Sequence, residues 1–103
     1  MKFVNMTPHN IILCGKTYKS KGVARCKTCE RVMAVYKGLK INHRYYSRLE
    51  GLPEEKRGTM YIVTDDVAQA ALEAGRKDIF VLDEYVRDAN GNVIGYEALR
   101  AIL

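Results

Sequence analysis

The sequence contains no tryptophan, only two prolines and only three cysteines in 103 residues. An odd, small cysteine count is not the framework of a disulfide-stapled secreted domain. No stretch approaches the ~18 apolar residues needed to span a bilayer, which argues against a membrane partner. The opening MKFVNMTPHNIIL carries one early lysine, and Asn5, Thr7, Pro8, His9 and Asn10 interrupt its apolar run. It does not read as a signal-peptide core, so a cytoplasmic location is expected. Internal repeats and low-complexity tracts are absent. So are the nucleophile elbow, the zincin helix and the phosphate-binding glycine loop, so no catalytic residue is assigned and a non-enzymatic role is expected.

Acidic residues are scarce in one half of the chain. Residues 1–50 hold 11 Lys and Arg against Glu30 and Glu50, whereas residues 51–103 hold six against ten acids. The net +5 therefore conceals a basic half and an acidic half. A basic half draws in phosphates, nucleotides or nucleic acid. It equally describes a solvated surface, or two faces that meet in a homo-oligomer. With 48% hydrophobic residues the chain can build a core without metal or disulfides, and a single domain over 1–103 is expected.

The periodicity predicts strands over most of the chain. Lys2–Asn5 is short and extended, and Thr7-Pro8 marks a break. Ile11–Cys14 and Thr17–Lys19 suggest a hairpin through Gly15-Lys16. Val23–Tyr36 is a long extended run. In Leu39–Glu50, Leu39, Ile41, His43, Tyr45, Ser47 and Leu49 alternate with polar residues, which predicts a strand with one wet face, paired to its predecessor around Lys37-Gly38. Thr59–Val63 reads as a buried strand. Thr64, with Asp65 and Asp66 in the first turn, opens a helix over about residues 65–74 that Gly75 closes. Val67, Ala68, Ala71 and Leu72 form its apolar stripe. Ile79–Leu82 returns as a strand, and Tyr85–Asp88 and Asn92–Tyr96 form a hairpin at Asn90-Gly91. The expected class is α+β, mostly antiparallel sheet with one main helix.

Several groupings could carry chemistry. Cys26 and Cys29 form a CxxC that could join Cys14 and His43 or His9 around zinc. No second tight pair exists, and in a strand residues three apart face opposite sides, so no metal or cofactor is assigned. Thr7 and His9 follow a rigid bend in the basic half and could contact a ligand. Arg44, Tyr46 and Arg48 share a strand face that suits a nucleotide, single-stranded nucleic acid or simply solvent. Arg76 with Asp78, and Arg87 with Asp88, could grip phosphates and ribose hydroxyls or form loop salt bridges.

A series of fragments runs through nearly the whole chain: Asn5-Met6-Thr7-Pro8-His9, Gly22-Val23-Ala24-Arg25, Gly51-Leu52-Pro53, Gly58–Thr64, Arg76-x-Asp78 and Val86-Arg87-Asp88-x-x-Gly91-x-x-Ile94-Gly95. Together they resemble a family of small bacteriophage and prophage proteins. The sequence departs from that pattern at Lys19-Ser20-Lys21-Gly22, which lacks a proline, and at Cys26 and Cys29. The resemblance implies a protein of the infected bacterial cytoplasm acting against host defence. One such strategy is a sponge that sequesters a nucleotide immune signal, ADP-ribose-like or cyclic, without cleaving it. On that reading Thr7, His9, Arg25, Arg76, Asp78, Arg87 and Asp88 bind the ligand, with the site at a homo-oligomer interface. The alternative is an inhibitor that binds nucleic acid or a host protein through the basic half.

Overall fold

A computed structural model describes residues 1–102. Eight strands and one helix follow in the order β1 (Lys2–Asn5), β2 (Ile11–Leu13), β3 (Lys16–Tyr18), β4 (Arg25–Tyr36), β5 (Leu39–Glu50), β6 (Thr59–Ile62), α1 (Asp65–Glu73), β7 (Ile79–Arg87) and β8 (Val93–Ala101). Six strands form one sheet ordered β1-β6-β7-β8-β2-β3, and β4 and β5 form a separate hairpin.

The α+β class holds, but the sheet is mixed rather than mostly antiparallel. β1 and β6, β6 and β7, and β2 and β8 pair in parallel. The physical reason is α1: a helix between β6 and β7 carries the chain back so that both strands run the same way. The two outer strands then approach each other. Asn5 bridges Ser20 in parallel, and the Lys21 N–H donates to the Asn5 carbonyl at 2.9 Å. The sheet is thereby drawn into a barrel-like wrap, joined at one end of the β1–β3 seam.

The helix packs its small-residue face inward. Val67, Ala68 and Ala71 are buried with Met6, Ala24, Tyr61, Val63, Ile79 and Val81. Leu72, expected in the stripe, is instead exposed, and Ala70 takes a buried place. Alanines let the helix lie close to the sheet. Thr64 is the N-cap residue, but its hydroxyl donates to Asp66 Oδ1 at 2.6 Å rather than accepting from the backbone. The same Asp66 oxygen accepts the Val67 N–H at 2.9 Å, so the carboxylate satisfies that helix-end donor.

Local turn chemistry sets both early hairpins. Lys37 and Gly38 have φ of 48° and 81°, and the left-handed pair matches the twist of flanking strands. The first hairpin turns at Cys14-Gly15, φ 49° and 78°, one residue earlier than the sequence suggested, so β3 begins at Lys16. Further along, β7 runs unbroken from Ile79 to Arg87, and β8 reaches Ala101.

The β4–β5 hairpin departs most from expectation. Its strands are 12 residues each, and the alternating face of β5 is exposed from Leu39 to Tyr45. Among the described residues its foot is anchored, through Cys26 and Leu49 against the α1 core. The radius of gyration is 16.2 Å, where a compact chain of this length has ~13 Å. The hairpin is therefore an arm that stands off the body.

Candidate functional site

The Asn5–His9 segment shows how this fold places polar groups. Asn5 is 1% exposed, and all its side-chain capacity is used. Its Nδ2 donates to the carbonyls of His9 at 2.8 Å and Tyr18 at 3.0 Å. Its Oδ1 accepts the Thr7 N–H at 2.9 Å and lies 2.6 Å from the Thr7 hydroxyl. The Ser20 hydroxyl adds a bond to the Thr7 carbonyl at 2.6 Å. One amide thus ties β1, the following turn and β3 together.

That tie defines two grooves. One, of about 730 Å³, lies along the β1–β3 seam and is lined by Lys2, Lys16, Lys19 and Lys21 together with Phe3 and Tyr18. No carboxylate lines it, and none of the four lysines is in an ion pair among the described residues. The Lys16 ammonium stands 5.2 Å from the centre of the Tyr18 ring. Four cationic side chains around an aromatic wall, with no internal counter-charge, hold a positive potential. They offer phosphate oxygens several charge-assisted donors.

The second groove, of about 570 Å³, opens between the Thr7–Ile12 segment, the start of α1 and the β7–β8 pair. Ile12, Tyr85, Val93 and Ile94 give it apolar walls, and Asp65 is its one charged lining residue. Thr7 and His9 lie here. Thr7 is 5% exposed, and its hydroxyl is engaged with Asn5, whereas His9 is exposed and offers its backbone carbonyl to Asn5 and Thr7.

The other residues singled out in the sequence sit elsewhere. Arg25 is exposed at the foot of β4, beside a shallow depression shared with Pro8, Cys26 and Asp66. Arg76 and Asp78 form a bidentate pair, Nε to Oδ1 at 3.0 Å and Nη2 to Oδ2 at 2.7 Å, and Arg76 also donates to the Pro53 carbonyl at 2.9 Å. The hydrogen bond to Asp78 holds the guanidinium above its ordinary pKa. Arg87 donates to the Gly91 carbonyl at 2.9 Å, and Asp88 accepts the N–H groups of Asn90 and Asn92, so both brace the β7–β8 turn. Thr7 meets His9, Arg76 meets Asp78, and Arg87 neighbours Asp88, but no one cavity among the described residues collects all seven.

No protein-family model, curated protein or solved structure matches the chain. The site therefore rests on its own geometry. The lysine groove was foreshadowed by one signal: no acid occurs before Glu30. What could not be read was that residues 2 and 16–21 would face each other across a seam.

The thiols are dispersed. Cys26 sits half-buried at the foot of β4, opposite the irregularity at Arg48 and Leu49 in β5, where burial, the Asp66 charge and a hydrogen bond to Asp66 push its pKa up. Cys14 and Cys29 are exposed, and all three are free. No group of three or more potential metal-ligating His, Cys, Asp or Glu residues comes together among the described residues. On the arm, Arg44 is bound to Glu30 across the hairpin at 2.6 Å, and Arg48, at φ 51°, lies where a bulge interrupts the alternation.

Proposed function

We propose that this protein binds a small anionic ligand of nucleotide type in the β1–β3 groove and holds it without turnover. The observation that carries the reading is the convergence of Lys2, Lys16, Lys19 and Lys21 on one groove with no lining carboxylate among the described residues. Lysines on flexible stems suit a polyphosphate, whose charge is spread over many oxygens. Tyr18 and Phe3 supply faces on which a base can stack. The lack of catalytic motifs in the sequence favours sequestration over chemistry. A role in phage counter-defence, as a sponge for an ADP-ribose-like or cyclic nucleotide signal, rests on the sequence resemblance alone.

Isothermal titration with ADP-ribose and with a cyclic dinucleotide tests the proposal. Wild-type protein should bind at least one of them and release it intact on denaturation. Lys16→Ala combined with Lys19→Ala should raise Kd at least ~10-fold, about 1.4 kcal/mol, with little change in melting temperature because both side chains are exposed. Binding of neither ligand, binding indifferent to the lysines, or conversion to product would each overturn the reading. A nucleic-acid ligand would instead show affinity falling steeply with salt as phosphate counterions are displaced.

A further inference from the structure

The arm poses a physical problem that the body of the chain does not solve. An isolated two-stranded hairpin is marginal in water, and a hydrophobic face normally packs on another layer. Near the arm's tip, Val32, Met33, Val35, Tyr36 and Leu39 are between 54% and 65% exposed. Tyr36 pairs with Leu39 on one face of the ribbon and Val35 with Lys40 on the other, so the tip is apolar on both sides, and exposed apolar surface of this kind marks an interaction site. The charge around it is of one sign: Arg31, Lys37 and Lys40 lie within residues 31–41, with no acid. Two such tips repel each other, so a tip-to-tip contact is disfavoured.

The same chain carries a surface of the opposite character. The 570 Å³ groove has exposed apolar walls in Ile12, Tyr85, Val93 and Ile94, and no Lys or Arg lines it. Asp65 lies in it, its side chain 82% exposed and only loosely paired with Arg100 at 4.0 Å. Asp83 and Glu84 stand in β7 between the lining residues Leu82 and Tyr85. Arg87 stands 5.8 Å from the Tyr85 ring and Arg100 beside Asp65, so three acids (Asp65, Asp83, Glu84) against two cations leave the groove and its rim weakly acidic. Tip and groove thus match in apolar character and carry opposite net charge, the arrangement that steers and fixes specific association. A tip exposed in its own chain does not fill its own groove.

We propose that the β4–β5 arm of one copy of this chain docks its apolar tip into the β7–β8 groove of a second copy. Charge complementarity selects the groove over another arm, and a reciprocal exchange of arms would close the assembly as a symmetric dimer. The lysine groove on the β1–β3 seam plays no part in this contact, so nucleotide binding and self-association can fail independently.

Sedimentation equilibrium on the full chain tests the contact. Wild type should run at a multiple of the chain mass at micromolar concentration. Met33→Asp with Leu39→Asp on the arm, and Ile94→Asp in the groove, should each weaken self-association at least ~100-fold. Because Met33, Leu39 and Ile94 are exposed, both variants should keep the wild-type far-UV circular dichroism. Lys37→Glu with Lys40→Glu serves as a second arm variant with no change in apolar surface, and it should weaken association in the same direction. Mixing the Met33/Leu39 variant with the Ile94 variant should yield a 1:1 heterodimer. One intact arm then meets one intact groove, and the heterodimer itself shows that both variants are folded. A monomeric wild type would overturn the proposal, as would an arm or groove variant that still self-associates, or a mixture that stays monomeric. A monomeric wild type that binds duplex DNA through Met33 and Leu39 would assign the arm to nucleic acid and equally overturn it.

Discussion

Replacing Asn5 by alanine should destabilise the fold far more than a polar-to-alanine change near a chain terminus ordinarily does. The side chain is 1% exposed and serves four partners. In the variant, the Thr7 hydroxyl can turn its proton to the His9 carbonyl, 3.0 Å away, and remains satisfied. The carbonyls of His9 and Tyr18 lie near the surface and can recruit water. The Thr7 N–H cannot, because Thr7 is buried, and an orphaned buried donor costs ~1–3 kcal/mol. Adding the vacated volume, the expected loss is about 2–4 kcal/mol, a large part of the ~5–15 kcal/mol typical of a domain. Urea unfolding of wild type and Asn5→Ala measures it. Asn5→Asp is the sharper comparison: it keeps both acceptor functions for Thr7 but presents a carboxylate to two carbonyl oxygens, so it should be no more stable than alanine. A loss below ~1 kcal/mol for both variants would refute the hub and the account of the β1–β3 seam built on it.

Two further outcomes follow from the ionic groups. Arg76→Ala should cost ~3 kcal/mol by urea unfolding, since it leaves Asp78, 6% exposed, without its bidentate partner. Arg76→Lys should recover only part of that, because an ammonium cannot form the paired contact. Asp66 has a lowered pKa, chiefly from the Thr64 hydroxyl, with the Val67 N–H adding to it and desolvation opposing. Its contribution is thus fully present above the unfolded carboxylate value of ~3.9 and disappears as pH falls through the lower folded value. Asp66→Asn should destabilise by no more than ~1 kcal/mol at neutral pH, the group being exposed, and the difference should shrink in acid. A difference that grows as the pH falls would contradict this origin.

Much of the local structure was legible because its causes are local. The Lys37-Gly38 turn, the Leu39–Glu50 strand and the helix stop at Gly75 each follow from φ preferences or a two-residue period within a few positions. The Cys14-Gly15 turn lies one residue before the position its sequence suggests, because cysteine is not a residue from which a left-handed φ is expected. The alternation in β5 was real, but it was a poor guide to burial: a two-residue period says that two faces differ, not that anything covers either one. The candidate ligand residues fared differently. Arg76, Asp78, Arg87 and Asp88 stand out in the sequence as charged pairs near loops, and the structure gives each pair short-range partners.

By itself the sequence determined the α+β class, the approximate extent of nearly every element and the division into a basic and an acidic half. These depend on composition, period and turn stereochemistry, all of which act over a few residues. Tertiary structure alone decided that β1, β6 and β7 run parallel, that Asn5 rather than Thr7 is the centre of the N-terminal motif, and that Lys2 meets Lys16, Lys19 and Lys21. It also decided that the arm stands clear of the core. Each is a relation between segments distant in the chain. Such relations are settled by which faces the core can cover at once, and no local propensity encodes that.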